Sequence, residues 1–395
     1  MGGSIAGCAA ALATWRAGAA EVTVFERTAG RLQDRGAGLV LHNDRYTELK
    51  TAGYLDDAVP WIQLARRPWV VRDGGEHAGR TIGTLAFPFR SYNWGSLWNA
   101  LRRRLPDAVG YRTGAAIAGV TSGPDEAVLR LADGTQERFD LVVGADGYRS
   151  ALRPAVQPDA RARYTGYLAW RGTLPASLLP EPPGAFPDED APTVVFPGGH
   201  MIIYRIPAGQ VPLVNWVFYA TPPPGRSAAV TNPAATPSRT ATKALLKHQE
   251  LLMEHHFPPY WREVVRRTPP EALFVQPIYD LDASRFARGR LLLLGDAASI
   301  ARPHTGSGAL KALQDAAVLE STLRSARDLG EALRAYDAAR VPAGQAMQAL
   351  GRSLGRDMVE ETPSWATMDQ RATEDWWQRA AGTGTAGIGG PGLTR

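Results

Sequence analysis

Hydrophobic and polar positions follow two different periods along this chain, and the change of period divides it. Near the N-terminus, Cys8-Ala-Ala-Ala-Leu12-Ala runs without polar interruption and predicts a short helix of small residues, stopped at Gly18. Val22-Thr-Val-Phe25-Glu26 follows as a strand. The apolar runs at 141–143 and 291–294 have the length of buried strands. Trp94-Gly-Ser-Leu97-Trp-Asn-Ala-Leu101-Arg predicts a helix, and His248 to His256 lies on an amphipathic one. From Gly308 to about Arg324, positions 309, 310, 312, 313, 316, 317 and 319 are apolar or small, which predicts a largely buried helix. Another helix covers about 331–355.

Between 161 and 282 the period drops to two. Leu168–Gly172, Met201–Ile206 and Val211–Tyr219 read as strands with alternating aromatics, separated by proline-rich connections at 175–192 and 221–237. The pattern predicts an α/β fold joined to an antiparallel sheet. A discontinuous nucleotide-binding domain spans 1–70, 95–160 and 283–325. A β-rich substrate domain spans 71–94 and 161–282. C-terminal helices occupy 326–381, and the glycine-rich segment 382–395 is predicted to be a disordered tail.

Composition narrows the classes. The 395 residues, 44% of them hydrophobic, suffice for two intertwined domains. No apolar run approaches the roughly 18 residues of a membrane span, and no signal peptide is visible, which predicts a cytoplasmic protein. The single cysteine, Cys8, excludes an intrachain disulfide and reads as a small packing residue. The net charge of +5 is scattered. Its densest run, Arg102-Arg103-Arg104, lies on a helix without interleaved aromatics, which argues against nucleic acid. His255 and His256 are adjacent and point apart, so no metal site is expected.

Three motifs carry chemistry. Gly2-Gly3-Ser4-Ile5-Ala6-Gly7 precedes the first helix as a dinucleotide fingerprint with Ser4 at the middle glycine. Glu26 follows Gly7 by nineteen residues at a strand end, where a carboxylate meets ribose hydroxyls, and Arg27 adjoins it. Only Met1 precedes Gly2, although the fingerprint ordinarily follows a strand; a chain begun several apolar residues upstream would supply it. The second motif is Asp140 to Arg153, a strand ending in Asp146-Gly147 with Arg149 and Arg153 placed to meet a pyrophosphate. In the third, Gly295-Asp296 ends a strand, Pro303-His304 makes a turn, and Gly306-Ser307-Gly308 opens a helix whose N-terminus favours negative charge. Each motif alone also fits an ordinary turn.

Together the three resemble the single-component flavoprotein aromatic hydroxylases, the p-hydroxybenzoate hydroxylase fold. The resemblance runs from Gly2 to about Arg340. It implies a Rossmann-like FAD-binding domain with non-covalent FAD on Gly2, Ser4, Gly7, Glu26, Arg27, Asp146, Gly147, Gly295, Asp296, Gly306, Ser307 and Gly308. Arg35-Gly36-Ala37-Gly38-Leu39 resembles the family's loop near the flavin, which adds Arg35 and Gly38. The family often carries an arginine where this chain has Trp94. Residues 165–172, Asn215-Trp216 and 302–306 look most like the dihydroxypyridine hydroxylases.

The implied activity is NAD(P)H- and O2-dependent hydroxylation of an electron-rich hydroxylated aromatic or pyridine ring through a C4a-hydroperoxyflavin. NAD(P)H is a transient co-substrate, consistent with a single fingerprint. His304 and Pro303 are the expected catalytic residues. His304, Tyr204, Trp216, Tyr219 and Arg171 are the expected substrate contacts, with core packing as the competing reading for the aromatics. The expected partner is a small aromatic molecule, and a homo-oligomer is compatible. Epoxidation, Baeyer–Villiger insertion, oxidative decarboxylation, a nicotinamide dehydrogenase and a non-enzymatic flavin-binding protein are the alternatives.

Overall fold

Sixteen strands are present among the described residues of the computed structural model, which are 1–30, 32, 37–181, 186–223, 242–382 and 392–393. The expected Arg35 contact, and most of the predicted tail, lie outside them. Helix α1 (Ile5–Arg16) is buried along most of its length, because alanine and glycine let it sit close to its neighbours. It packs against the helix Gly308–Ser325 and α3 (Trp94–Arg103); α2 (Asn43–Thr51) flanks the same helix Gly308–Ser325.

The nucleotide-binding side is built from short pieces. Strand β1 (Thr23–Glu26) pairs in parallel with β5 (Gly110–Thr113). Strand β9 (Val142–Gly144) pairs in parallel with β16 (Leu291–Leu293), which pairs with β15 (Ala287–Arg288). Met1 and Gly2 bridge the two groups. The Met1 ammonium donates to Val143 O (2.7 Å), Ala145 N donates to Met1 O (2.8 Å), and Gly2 N donates to Phe25 O (2.8 Å). A meander of β6 (Ile117–Ser122), β7 (Ala127–Leu131) and β8 (Gln136–Phe139) stands beside them.

The large sheet has eight strands in the order β14-β10-β13-β12-β11-β3-β4-β2. These are β2 (Gly38–His42), β3 (Ile62–Val71), β4 (Arg80–Asn93), β10 (Arg163–Pro175), β11 (Thr193–Phe196), β12 (Gly199–Ile206), β13 (Leu213–Ala220) and β14 (Phe274–Asp280). Two expectations are corrected here. The sheet is mixed, because β11 runs parallel to β3. It also takes in Gly38–His42 and all of Ile62–Val71, of which the sequence placed 38–42 and 62–70 on the nucleotide side. The chain crosses between the two layers more often than a count of motifs suggests.

One face of the sheet is packed by the helices Lys243–His256 and Pro259–Arg266 around Trp170, Trp216 and Phe218. The other face meets the nucleotide side and the C-terminal segment. The helix Leu329–Gly355 and the final helix Gln370–Ala381 close that face around Trp69, Trp365 and Trp376. Gly83 lets the final helix approach β4, since a β-carbon there would come within 2.7 Å of Thr373. No described helix is long and apolar enough to cross a membrane.

Candidate active site

Between the sheet and the nucleotide side lies a cavity of about 630 Å³. One end is walled by Ser4, Ile5, Ala6, Arg27, Gly147 and Asp296, and the other by side chains of the sheet.

At the first end the backbone does the shaping. A β-carbon on Gly7 would sit 1.7 Å from Gly2 O, so glycine is required for α1 to start this close to the turn. Gly2 has φ +86°. Ser4 is the N-cap residue of α1, makes no side-chain cap bond and faces the cavity. Glu26 accepts from Gly3 N (2.7 Å) and Thr28 N (2.8 Å), closing the fingerprint against β1, while Arg27 takes the cavity-lining position. Trp94 lines the cavity and stacks on Trp98, whose Nε1 donates to Gly3 O.

The Asp146-Gly147 turn accepts Ala151 N on Asp146 Oδ2, and Asp146 Oδ1 is buried with no partner among the described residues. The arginine expected to meet a pyrophosphate does something else. Arg153 is buried and donates to Gly147 O, Tyr148 O, Asp296 O and Ala297 O, tying this turn to the Gly295 turn. A guanidinium's forked donors suit such multiple carbonyls.

Gly295 (φ +63°) turns the chain so that Asp296 opens into the cavity. Enclosure pushes the Asp296 carboxyl above the usual aspartate range, against the pull of Lys311 and Arg153. Beneath it Lys311 Nζ donates to Gly295 O and to both oxygens of Ser299. Asp315 accepts from Gly295 N and from Arg340 Nε. Pro303–Thr305 forms a single turn that ends at Gly306 (φ +64°). Ser307 is buried with its hydroxyl donated to Thr305 O, so its backbone rather than its side chain faces the cavity. At Gly308 a β-carbon would meet nothing within 4 Å. That space, beside the first turn of an eighteen-residue helix, fits a flat cofactor ring with negative charge on one edge.

At the sheet end, strand register decides which residues face the cavity. Tyr219 lies opposite His200, Val217 opposite Ile202, and Asn215 opposite Tyr204. Tyr219, Val217, Ile202, His200 and Tyr204 line the cavity, with Arg171 of β10 beside Val217. Trp216 does not. It projects from the other face, fills the space over Gly172 and donates Nε1 to Thr268 Oγ1 (2.8 Å). Gly38 lines the cavity and donates its N–H to Asn215 Oδ1 (2.9 Å).

His304 and Pro303 reach the cavity from the turn. His304 Nε2 is hydrogen-bonded to Tyr167 Oη (2.7 Å), and its ring packs on Tyr219 and His200. Its Nδ1 is buried and has no partner among the described residues. Burial, with His200, Arg302, Arg67 and Arg171 nearby, holds the His304 pKa well below the usual value, so the ring is neutral. Burial likewise lowers His200 to about 3, and its Nδ1 lies 3.3 Å from Met358 O. The sequence reading missed Tyr167, His200, Arg67 and Phe87, which come from four strands and carry no local signal.

The comparisons with known proteins agree with this geometry. An FAD binding domain family model matches residues 267–350. Over 396 residues the chain is 32% identical to the 3-amino-4-hydroxybenzoate 2-monooxygenase of Streptomyces cremeus, spanning 95% of this chain and 91% of that one. The chain belongs to the FAD-dependent aromatic monooxygenases. It is also 26% identical to the 2,6-dihydroxypyridine 3-monooxygenase of Paenarthrobacter nicotinovorans, over 88% of this chain and 87% of that one. The solved 2,6-dihydroxypyridine-3-hydroxylase from Arthrobacter nicotinovorans superposes with a TM-score of 0.79 at 25% identity, covering 90% of this chain and 91% of that one. The expected likeness to dihydroxypyridine hydroxylases and to their fold is therefore found. This monooxygenase binds FAD and uses NAD(P)H and O2 to hydroxylate an aromatic ring. The dehydrogenase and non-enzymatic alternatives fall away.

Proposed function

We propose that the substrate is a small hydroxylated benzene or pyridine ring. It lies on the sheet face beside Ile202, Val217 and Tyr219, with its hydroxyl at His304 Nδ1. The observation that carries this reading is the buried, unpartnered Nδ1, since a polar atom left so is costly unless a ligand satisfies it. In the tautomer in which Nε2–H donates to Tyr167 Oη, Nδ1 is a lone-pair acceptor. It draws the proton of a phenolic or pyridinolic O–H and makes the ring more electron-rich. Arg171 adds positive charge that stabilises the resulting oxyanion, while Tyr204 and Tyr219 flank the ring. Pro303 fixes the turn that aims His304.

FAD, when bound and reduced, supplies oxygen activation and transfer to the ring. We assign its holding to Gly2, Ser4, Gly7, Glu26 and Arg27 at the dinucleotide end and to Asp146 and Gly147 at the second turn. Gly38, Gly295, Asp296, Gly306, Ser307 and Gly308 hold it beside the ring. The packed sheet and the C-terminal segment exclude water, which protects the chemistry from side reactions.

The test is NAD(P)H oxidation by purified holoenzyme with hydroxybenzoates, aminophenols and hydroxypyridines, with products read by mass. Ligand-stimulated oxidation yielding a product one oxygen heavier is expected. Stimulation by rings lacking a hydroxyl, at equal efficiency, would overturn the role of His304.

A further inference from the structure

Arg67 lies on β3 at the sheet end of the cavity and is 4% exposed. Its Nε donates to Thr193 Oγ1 (2.9 Å). Its guanidinium carbon lies 4.4 Å from the Trp69 ring centre, 5.2 Å from Trp377 and 5.7 Å from Phe87. Among the described residues no carboxylate pairs with it, and only Nε has a hydrogen-bond partner. Burial lowers its pKa to about 9, which leaves it charged at neutral pH. A buried guanidinium without a counter-ion is destabilising in itself. The aromatic rings offset part of that cost and hold the fork still, but they supply no acceptor for Nη1 and Nη2.

Among the described residues the cavity lining places no acid beside that charge. The acid among its lining residues is Asp296, at the opposite end beside the glycine cradle. Arg171 lines the same sheet face, and among the described residues it has no carboxylate partner and its buried Nε no hydrogen bond. The two arginines lie on strands β3 and β10, four strand spacings or about 19 Å apart at the backbone. Between their strands the cavity floor carries Ile202 and Val217 together with the rings of His200, Tyr204 and Tyr219. A small free anion would satisfy an arginine but leave that floor bare.

We infer that Arg67 is the seat of an anionic substituent, a carboxylate in chemistry, carried by the substrate ring at the end away from Arg171. The fork binds both oxygens of a carboxylate, which adds direction as well as charge. The inference rests on the proposed placement of the ring on the sheet face and names the class of ring, an aromatic acid. Arg67 is then a specificity-determining residue, held in place by Thr193 and by Trp377 of the C-terminal helix.

The test uses holoenzyme and ligands that need not react. Benzoate and benzyl alcohol, which share a ring and differ in charge, are titrated by the change in flavin absorbance. Benzoate is expected to bind on the order of 100-fold more tightly. Arg67→Met should remove most of that preference while FAD content and thermal midpoint stay near the parent values. Arg67→Lys, which keeps the charge and loses the fork, should retain about a tenth of it. Equal binding of the two ligands by the parent enzyme overturns the inference, whatever the variants do. So does a preference that survives Arg67→Met, or one removed by Arg171→Met alone. Acetate binding as tightly as benzoate overturns the ring-borne part. Turnover with neutral phenols as good as with their acids would sink the Arg67 assignment and leave the hydroxylase reading intact. Failure of all hydroxylated rings to stimulate oxidation, with benzoate preference retained, would do the reverse.

Discussion

His304 Nε2 and Tyr167 Oη lie 2.7 Å apart, joining a turn on the nucleotide side to β10, the neighbour of the sheet's edge strand β14. The bond fixes the orientation of the imidazole and leaves Nδ1 as the ring nitrogen free to meet a substrate hydroxyl. His304→Gln should lower kcat/KM for a phenolic substrate by about 100-fold, the scale of a lost proton acceptor. Tyr167→Phe should cost less, about 10-fold, by freeing the orientation of the ring. Because the His304 pKa lies well below its usual value, kcat/KM should show no inflection near pH 6.5 from this group. A parent profile that bends there and flattens in His304→Gln would refute a neutral imidazole.

Gly7 and Gly308 both belong to cofactor motifs, yet they should respond oppositely to alanine. At Gly7 the new carbon would lie 1.7 Å from Gly2 O, so Gly7→Ala should misfold the turn and give insoluble or flavin-free protein. At Gly308 it meets nothing within 4 Å, and alanine favours a helix by up to about 1 kcal/mol over glycine. Gly308→Ala should therefore leave the flavin-free protein as stable as the parent or slightly more so. It should weaken FAD binding at least about 10-fold by entering the cofactor's space. FAD titration of stripped protein and thermal melts separate the two effects.

His200 is buried and its pKa is lowered to about 3, against about 6.5 for an unfolded histidine. Between these values the unfolded chain binds a proton that the folded chain does not. The stabilisation is thus complete above pH 6.5 and is lost as pH falls toward 3, by up to about 1.4 kcal/mol per pH unit. Urea melts at pH 7, 6 and 5 should show this decline. His200→Gln should make the decline shallower by a comparable amount; an unchanged slope would place the proton elsewhere.

Trp216 and Tyr219 are three residues apart on β13 and so face opposite sides of the sheet. Trp216→Phe removes the bond to Thr268 Oγ1 and should cost about 1–3 kcal/mol of stability with KM unchanged. Tyr219→Ala should raise KM or uncouple NAD(P)H oxidation from hydroxylation, measured as hydrogen peroxide released. If Trp216→Phe instead changes KM and leaves the melting temperature alone, the facing of the strand is reversed.

The cofactor motifs were legible in the sequence because each is local. Gly2 and Gly7, Asp146-Gly147, Gly295-Asp296 and Gly306 to Gly308 are short-range steric solutions, and a few neighbouring residues state the requirement. The helix predicted from Gly308 to about Arg324 is observed as Gly308–Ser325 for the same reason, since its apolar spacing is a property of the segment alone. Even here a charged side chain misled. Arg153 sits where a pyrophosphate ligand would be expected, but four carbonyls claim it, two of its own turn and two of the distant Asp296–Ala297 turn.

The chain by itself therefore determined the class of fold and the cofactor. Tertiary structure alone decided what faces the ring. Alternation along β13 says that Trp216 and Tyr219 lie on opposite faces, but not which face meets the flavin side. That choice is made where β13 pairs with β12 and where Gly172 opens room for the indole. His200 and Arg67 reach one cavity from strands β12 and β3, Tyr167 of β10 holds the His304 that lines it, and nothing near any of them in sequence marks it. Their meeting follows from burying both faces of a mixed sheet at once, a packing requirement of the whole chain that no local pattern encodes.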